Sequence, residues 1–537
     1  MSKVDIRIKD ISKKTDQLFE IKPKDLPKLP YPYEDWEDPP IPEVSEAKRA
    51  GKNLSLDGVL NVPVPVPETE EEKEKLVANF LEGLRKLLSK ENNWMFLEPL
   101  LLSLDNCVKC NTCSNACPIF EMSGRAEIYR PLFRSDILRR IVRKYIAPGG
   151  KLTAKLTGAD IDLNYETVAR LAQLAYRCTL CRRCAQTCPM GVDNGLISRE
   201  IRKLFSQELD IRPAELHSEG TVKQLQSGSS TGISPTALMD LFEFMEEDIT
   251  DRTGLTIKMP FDKAGADILL IHNAGEFLSW PENIEAFAII FEAAGLSWTM
   301  SSEMVGYDSV NYGLFYEDVQ LARVTLKHAE IARKLGVKKV VIAECGHAHK
   351  AAMAIGDRVW LDEANVHRES CFVTLEDIVM NGKIKVDPER NNFPVTLHDP
   401  CNVTRSMGII KPQRRVIKKI CPQFREMTPH GVNNYCCGGG SGFAIMQGAN
   451  FPNWRNMISG RKKFAQMLGA FSKEELDPSK NKYVCAPCSN CKGQIRDLIT
   501  YFDAWERTHM LYGGLVELIV NCMTDVPEGF VEWDEFH

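Results

Sequence analysis

Most of the eighteen cysteines fall into groups whose spacing suits iron and sulfur. Cys107, Cys110, Cys113 and Cys117 precede Pro118, and Cys178, Cys181, Cys184 and Cys188 precede Pro189 in the same rhythm. Each run is Cys-x2-Cys-x2-Cys-x3-Cys-Pro, in which three close thiolates grip one cubane 4Fe–4S cluster and the fourth ligates the other of a pair. On that rule Cys107, Cys110, Cys113 and Cys188 hold one cubane, and Cys178, Cys181, Cys184 and Cys117 hold the second. Zinc fingers use pairs of Cys-x2-Cys rather than overlapping quartets. Two complete copies therefore predict a wire that passes one electron at a time.

A third group lies further along: Cys401 in His398-Asp399-Pro400-Cys401, the vicinal pair Cys436-Cys437, and Cys485, Cys488 and Cys491. Neighbouring thiolates do not readily turn toward one ordinary cubane, whereas a larger, irregular iron–sulfur core uses both. Gly438 and Gly439 follow the pair and lack β-carbons, so backbone N–H groups can approach the sulfurs. Both Cys485-x2-Cys488 and Cys488-x2-Cys491 satisfy the spacing of the last group. Histidines stand near these sulfurs, with His347 and His349 close behind Cys345 and His398 three residues before Cys401. They are candidate proton donors near neutral pH, His347 first among them. The competing reading of each is a hydrogen-bonded residue at a strand end. Cys345 is either a remnant of a lost site or a thiol facing substrate. Cys371, Cys421 and Cys522 have no partner at ligand spacing and read as small buried hydrophobes.

The elements that must position these groups need room, and 537 residues suffice for roughly three domains. A net charge of −6 gives no basic footprint for nucleic acid. The N-terminus lacks the apolar core of a signal peptide, and no apolar run reaches the ~18 residues of a membrane span. The expected location is the cytoplasm, on the inner face of the cell membrane through partner subunits, where thiols stay reduced and serve metals rather than disulfides.

Residues 1–75 are rich in proline and read as an extended arm whose Tyr31, Tyr33 and Trp36 wrap this chain or a partner. Residues 76–205 form the α-helical two-cluster ferredoxin domain, with helices expected over 152–177 and 196–205. Residues 206–260 are a connector with a flexible Gly/Ser stretch at 227–232. Beyond it, buried strands at 266–272, 337–343 and 395–398 alternate with helices, predicting α/β domains with parallel sheets. The order of elements in 261–394 repeats in 395–537. Met304-Val305 stand where the paired cysteines would be and Ala348 lies three after Cys345, so the first copy is degenerate and one special cluster is expected, not two.

The Cys…Cys-Cys-Gly…Cys-x2-Cys pattern resembles the CCG domain of heterodisulfide reductases, and the module order resembles that of their HdrD chains. Within that family the likeness runs to the DsrK (HmeD) subunits of DsrMKJOP membrane complexes, on Cys107-Val-Lys-Cys-Asn-Thr-Cys, Gly124-Arg-Ala-Glu-Ile-Tyr-Arg-Pro131, Glu344-Cys-Gly-His-Ala348 and Cys485-Ala-Pro-Cys-Ser-Asn-Cys-Lys-Gly-Gln494. The resemblance covers about residues 100–520. It implies a non-cubane 4Fe–4S cluster on Cys401, Cys436, Cys437, Cys488 and Cys491, with Cys488 and Cys491 preferred over Cys485 because of the Lys-Gly-Gln that follows. It further implies electrons from a DsrM-like cytochrome b that oxidises quinol, and a disulfide or trisulfide carried on a DsrC-like protein. Two other readings share the module order: the iron–sulfur subunit of glycolate oxidase or glycerol-3-phosphate dehydrogenase, and a relay adaptor without chemistry of its own.

Overall fold

A computed structural model describes residues 6–45, 54–309, 312–359, 366–534 and 536. Short apolar runs become the central parallel strands and are buried. In the first α/β half the strands are β1 (Ile268–Ile271), β2 (Trp298–Thr299), β3 (Lys339–Ile342) and β4 (His367–Ser370), ordered β2-β1-β3-β4. In the second they are β5 (Val395–Leu397), β6 (Phe424–Arg425), β7 (Lys482–Cys485) and β8 (Met510–Gly513), ordered β6-β5-β7-β8, and the edge strands β4 and β6 are only partly buried. The two orders are the same, so the internal repeat is a repeat of fold. Register fixes the correspondence: Ile271 pairs with Ile342, and Leu397 pairs with Cys485. Ile342 therefore matches Cys485; three residues on, Cys345 matches Cys488; and His347 and Ala348 match Asn490 and Cys491.

The ferredoxin region is helical. Glu70–Leu87 begins with a Thr69/Glu72 capping box and packs its Phe80 ring 5.6 Å from Phe205 of the helix Asn194–Leu209. The helix expected over 152–177 covers only Tyr165–Ala175, because left-handed Gly158 and Asp160-Ile-Asp162 interrupt the run. Likewise the helical run after Asn450 is broken into Phe451–Trp454, a wider turn over Arg455–Ser459 and, past Gly460, Arg461–Leu468.

The proline-rich segment lies against its own chain. Tyr33 is buried between Phe464 and Phe502, with ring centroids 5.1 and 6.3 Å away, and Asp38 pairs with buried Arg461 at 2.6 Å. Nearer its start, Arg170 donates to the carbonyls of Ile11 and Lys13. The Gly/Ser stretch expected to be flexible is tied down instead. Ser230 donates through its backbone N–H and hydroxyl to Asp308, and the Ser229 hydroxyl bonds Tyr307. Among the described residues no helix is long and apolar enough to cross a membrane.

A buried ion cluster joins the helical region to the first α/β half: Asp318 takes Arg199 at 2.5 Å and Lys203. Burial pushes the Asp318 carboxyl up, but these two cations outweigh it and hold it below the ordinary aspartate value. A depressed folded pKa contributes stability above the unfolded value near 3.8, and this is lost as pH falls through the folded pKa. Asp318→Asn leaves two buried cations, Arg199 and Lys203, to share the single carboxylate of Glu200 and is expected to cost about 3–5 kcal/mol, read from urea midpoints. Its deficit relative to the parent should shrink below about pH 4.

Candidate iron–sulfur centres

The two cysteine runs of the helical region are wound alike. Lys109 and Asn111, two and four residues after Cys107, are left-handed at φ 57° and 63°. Leu180 and Arg182 repeat this after Cys178 at φ 51° and 61°. Such backbone costs about 1–3 kcal/mol per residue and persists where a site demands it. Burial and then the charges of Cys107, Cys188 and Cys110 push the Cys113 thiol up. Burial pushes Cys117 up to about 12, with Cys181 and Cys178 adding to it. The last cysteine of each run thus sits with the first three of the other. One guanidinium nitrogen of Arg139 and one of Arg134 are buried without a partner; Arg139 faces Cys107 and Cys113, and Arg134 faces Cys117. Unmet donors aimed at crowded thiols fit anionic iron–sulfur groups. The first quartet is nearer solvent, with Cys110 exposed; in the second, Cys178 and Cys184 are buried.

The C-terminal cysteines come together from three segments, those that follow β5, β6 and β7. Cys436 lies within hydrogen-bonding reach of Cys401 and Cys437, Cys437 of Cys491, and Cys491 of Cys488. The result is one unbroken line of five buried sulfurs. Hydrogen bonds from Cys436 and Cys491, with a smaller one from His398, hold Cys437 well below the ordinary thiol value despite burial. Gly346 N–H donates to Cys488 Sγ at 3.3 Å, and Gly438 N–H to Cys436 Sγ at 3.4 Å. His398, Cys437 and Cys491 place donor atoms within 4.8 Å of one another, enough for one metal ion. The line continues beyond them to Cys401, Cys436 and Cys488, which fits a multinuclear core.

This line touches the second ferredoxin quartet. Cys181 lies within hydrogen-bonding reach of Cys436. Around that contact Ser441 Oγ donates to Thr179 O at 2.8 Å, and Arg202 bridges Cys178 O and Ser441 O. A β-carbon on Gly440 would stand 3.0 Å from Thr179 O, so the glycine run lets the two loops meet. At Gly438, left-handed with φ 100°, a β-carbon would fall 2.5 Å from Gly460, and at Gly439 one would strike Gln494. Both predicted glycines thus serve close approach; Gly438 also donates to sulfur.

Two expected site residues take other roles. Cys485 is a residue of β7, buried in the apolar cluster with Leu397, Cys421 and Tyr483. The strand's alternation turns it away from the line that Cys488 and Cys491 join after the strand ends. His347 is beside the site but is not placed as a proton donor. Its Nε2 accepts the Ser441 N–H at 3.1 Å, and its Nδ1 lies 2.9 Å from the Asn490 amide. A neutral ring has one donor and one acceptor, so with Nε2 accepting, Nδ1 carries the proton beside the Asn490 amide. Burial lowers the His347 pKa to about 4, leaving the ring neutral and both nitrogens engaged at pH 7. His349 is likewise tied, to Cys345 O and Ser370 Oγ. Cys345 accepts from Asn273 Nδ2 and Ala348 N–H beside Cys488, and burial pushes its thiol up.

Sequence comparison agrees with this division. Residues 103–192 match the 4Fe-4S dicluster domain, and residues 395–496 match the CCG cysteine-rich domain. The Hdr-like menaquinol oxidoreductase iron-sulfur subunit 2 of Archaeoglobus fulgidus is 28% identical over 406 residues, spanning 68% of this chain and 70% of its own. The HdrD chain of the dihydromethanophenazine:CoB–CoM heterodisulfide reductase of Methanosarcina acetivorans is 25% identical over 355 residues, 64% of this chain and 79% of its own. The chain is a heterodisulfide reductase-like iron–sulfur oxidoreductase subunit. A probable membrane-anchored ferredoxin of Chromohalobacter salexigens is also similar, at 20% over 366 residues, 64% of this chain and 51% of its own.

Several residues of this Hdr-like subunit carry no motif and were invisible to spacing. Lys463 is buried with Nζ donating to Asn434 Oδ1 at 2.9 Å and to Gln466. Burial pulls its pKa to about 7 against the opposing pull of Asp399, Cys437 and Cys436. Arg405 donates to Asn434 O while its Nε and Nη1 are buried without partners, and its charge reaches Cys181. Position in a helix gave no sign that Lys463 points inward. The loss of first-half ligands likewise hid Gly346 as a sulfur donor.

Substitution separates the sulfurs. Cys485→Ala is expected to keep the full iron content, whereas Cys491→Ala loses iron, both read by metal analysis of purified protein. His347→Ala leaves the Ser441 N–H unmet and is expected to cost about 1–3 kcal/mol. His347→Gln, whose amide oxygen can accept that bond, should recover much of the loss in a denaturation experiment.

Proposed function

We propose that this chain is the sulfur–sulfur bond-cleaving subunit of a quinol-oxidising membrane complex of the DsrMKJOP type. In this reading it takes electrons from a DsrM-like cytochrome b and acts on a disulfide or trisulfide carried by a DsrC-like protein in dissimilatory sulfur metabolism. One observation carries the reading: cysteine sulfurs run from exposed Cys110, through the Cys181–Cys436 contact, to a five-sulfur site whose Ser489 and Asn490, between Cys488 and Cys491, line a neighbouring cleft. The names of the Archaeoglobus and Methanosarcina relatives support the quinol and heterodisulfide parts of it.

The groups these cysteines fit supply one-electron carriers, two cubanes and a non-cubane cluster, together with thiophilic iron. Cleaving an S–S bond consumes two electrons and two protons and yields two thiols, so the chain must deliver single electrons twice to one place. The loop 438–442 fixes that place by pressing against Thr179, while His347, held by Asn490 of the second half, braces it from the first half. The cleft has a volume of about 210 Å³ and is lined by Asn273, Trp280, Phe315, His347, Asn490 and Arg496, among others. Its walls come from both α/β halves. That suits an extended, sulfur-bearing segment reaching inward better than a free metabolite engulfed whole. A pure electron relay gives this cleft no task.

Oxidised, iron-replete protein treated with a monothiol is expected to develop an EPR signal that is absent without thiol. A spectrum insensitive to thiol would return the chain to the relay reading. Iron content should approach about 12 atoms per chain, three four-iron groups.

A further inference from the structure

Between Ile141 and Asp160 the chain leaves the helical region and returns. Left-handed Gly149 and Gly158 bracket a helical knob, closed by the Thr153 N–H to Gly149 O and Thr157 N–H to Thr153 O bonds. Ala154 and Ala159 face the protein, while Leu152 and Leu156 are 90% and 91% exposed. One turn apart, they lie on the same outer face. Two leucines so bare are unusual, every other large apolar residue among the described ones being at most about two-thirds exposed.

The rim is cationic. Arg143, Lys151 and Lys155 are exposed and make no ion pair among the described residues. Lys144 lies 4.0 and 3.8 Å from Asp160 and Asp162, the nearby acids. This excess of positive charge stands out on a chain of net charge −6. The knob also neighbours the outer cysteine run: Lys109, between Cys107 and Cys110, pairs with Asp136 at 2.9 Å, and Asp136 pairs with Arg140 one turn before Arg143.

We propose that this knob seats directly on an anionic lipid surface, Leu152 and Leu156 entering the headgroup boundary and Arg143, Lys151 and Lys155 meeting phosphates. Leucine tips with snorkelling basic neighbours are what such a boundary accepts, and each exposed cation adds to attraction toward anionic lipid. An acidic protein groove would satisfy the cations but leaves no reason for two bare leucines at the summit, where the flanking Thr153 and Thr157 hydroxyls turn back onto the carbonyls of Gly149 and Thr153. Seating the knob would turn the Cys110 edge toward the bilayer. That consequence rests on the proposed function; the lipid contact does not.

The test is flotation of the full iron-replete chain with vesicles of phosphatidylcholine alone or with about one-third phosphatidylglycerol. The parent should partition at least about tenfold better onto the anionic vesicles, with the gain reduced by salt. Leu152→Ser/Leu156→Ser should lose at least about fivefold at any salt. Lys151→Gln/Lys155→Gln should lose only the salt-sensitive part. All four side chains are exposed, so iron content and circular dichroism should not move. No flotation by the parent, or equal flotation by the leucine variant, overturns the proposal. So does a leucine variant that floats normally yet fails to co-purify with a membrane subunit, which would assign the knob to a protein groove. Because flotation needs no thiol response, its failure is distinct from failure of the sulfur-cleaving reading.

Discussion

Five cysteine sulfurs occupy one buried space, and their mutual electrostatics governs what surrounds them. Two unit charges 4 Å apart repel by about 4 kcal/mol at an effective dielectric of 20, and burial by itself drives thiols toward their neutral form. A line of thiolates therefore needs compensation from its surroundings and from the metal it holds. The protein supplies Lys463, the unmet nitrogens of Arg405, and the N–H groups of Gly346 and Gly438. These donors come from both α/β halves, so no single half can balance the charge. The site is a property of the assembled chain.

That requirement explains why the degenerate half persists as fold although its ligand positions hold Met304, Val305 and Ala348. Its loop after β3 lies against the matching loop after β7: Ser489 N–H donates to Glu344 O, and Gly346 N–H donates to Cys488 Sγ. The pseudo-equivalent residues His347 and Asn490 bond one another across the seam. Behind them Glu344, pushed up to about 7 by burial, and Glu517 face buried Lys492. A half that lost its metal ligands has become the wall and hydrogen-bond donor of the half that kept them.

Covalent spacing made much of this legible. Two ferredoxin runs, a vicinal pair and alternating strands are local patterns, and a repeat of element order predicts a repeat of sheet topology. What spacing could not convey is direction. Cys485 and Cys488 are equally eligible by count, yet only the end of β7 decides that one faces the core and the other the site. His347 read as an acid because a histidine near cysteines invites it; its partners, Ser441 and Asn490, lie 94 and 143 residues away. The Gly/Ser stretch at 227–232 read as flexible because composition does not reveal that Asp308 would hold Ser230.

An electron path through sulfurs works only if the helical region cannot drift from the α/β halves, and the direct seam sets Thr179 and Cys181 against the Ser441 loop, packs Phe443, Trp454 and Met457 into the helical core, and pairs Lys462 with Glu121 at 2.6 Å. The proline-rich arm broadens it. Asp57 takes Arg177 in a fully buried pair and accepts from Tyr129, whose ring lies 5.9 Å from Trp454 of the second half. Asn450 of that half holds Pro42 O, Gly58 O and the Leu60 N–H. Prolines restrict the unbound arm, so less conformational entropy is lost when it lies down across both bodies. An otherwise coreless segment thus fixes the separation on which one-electron delivery depends, and it does so from outside the site, without a single cysteine of its own.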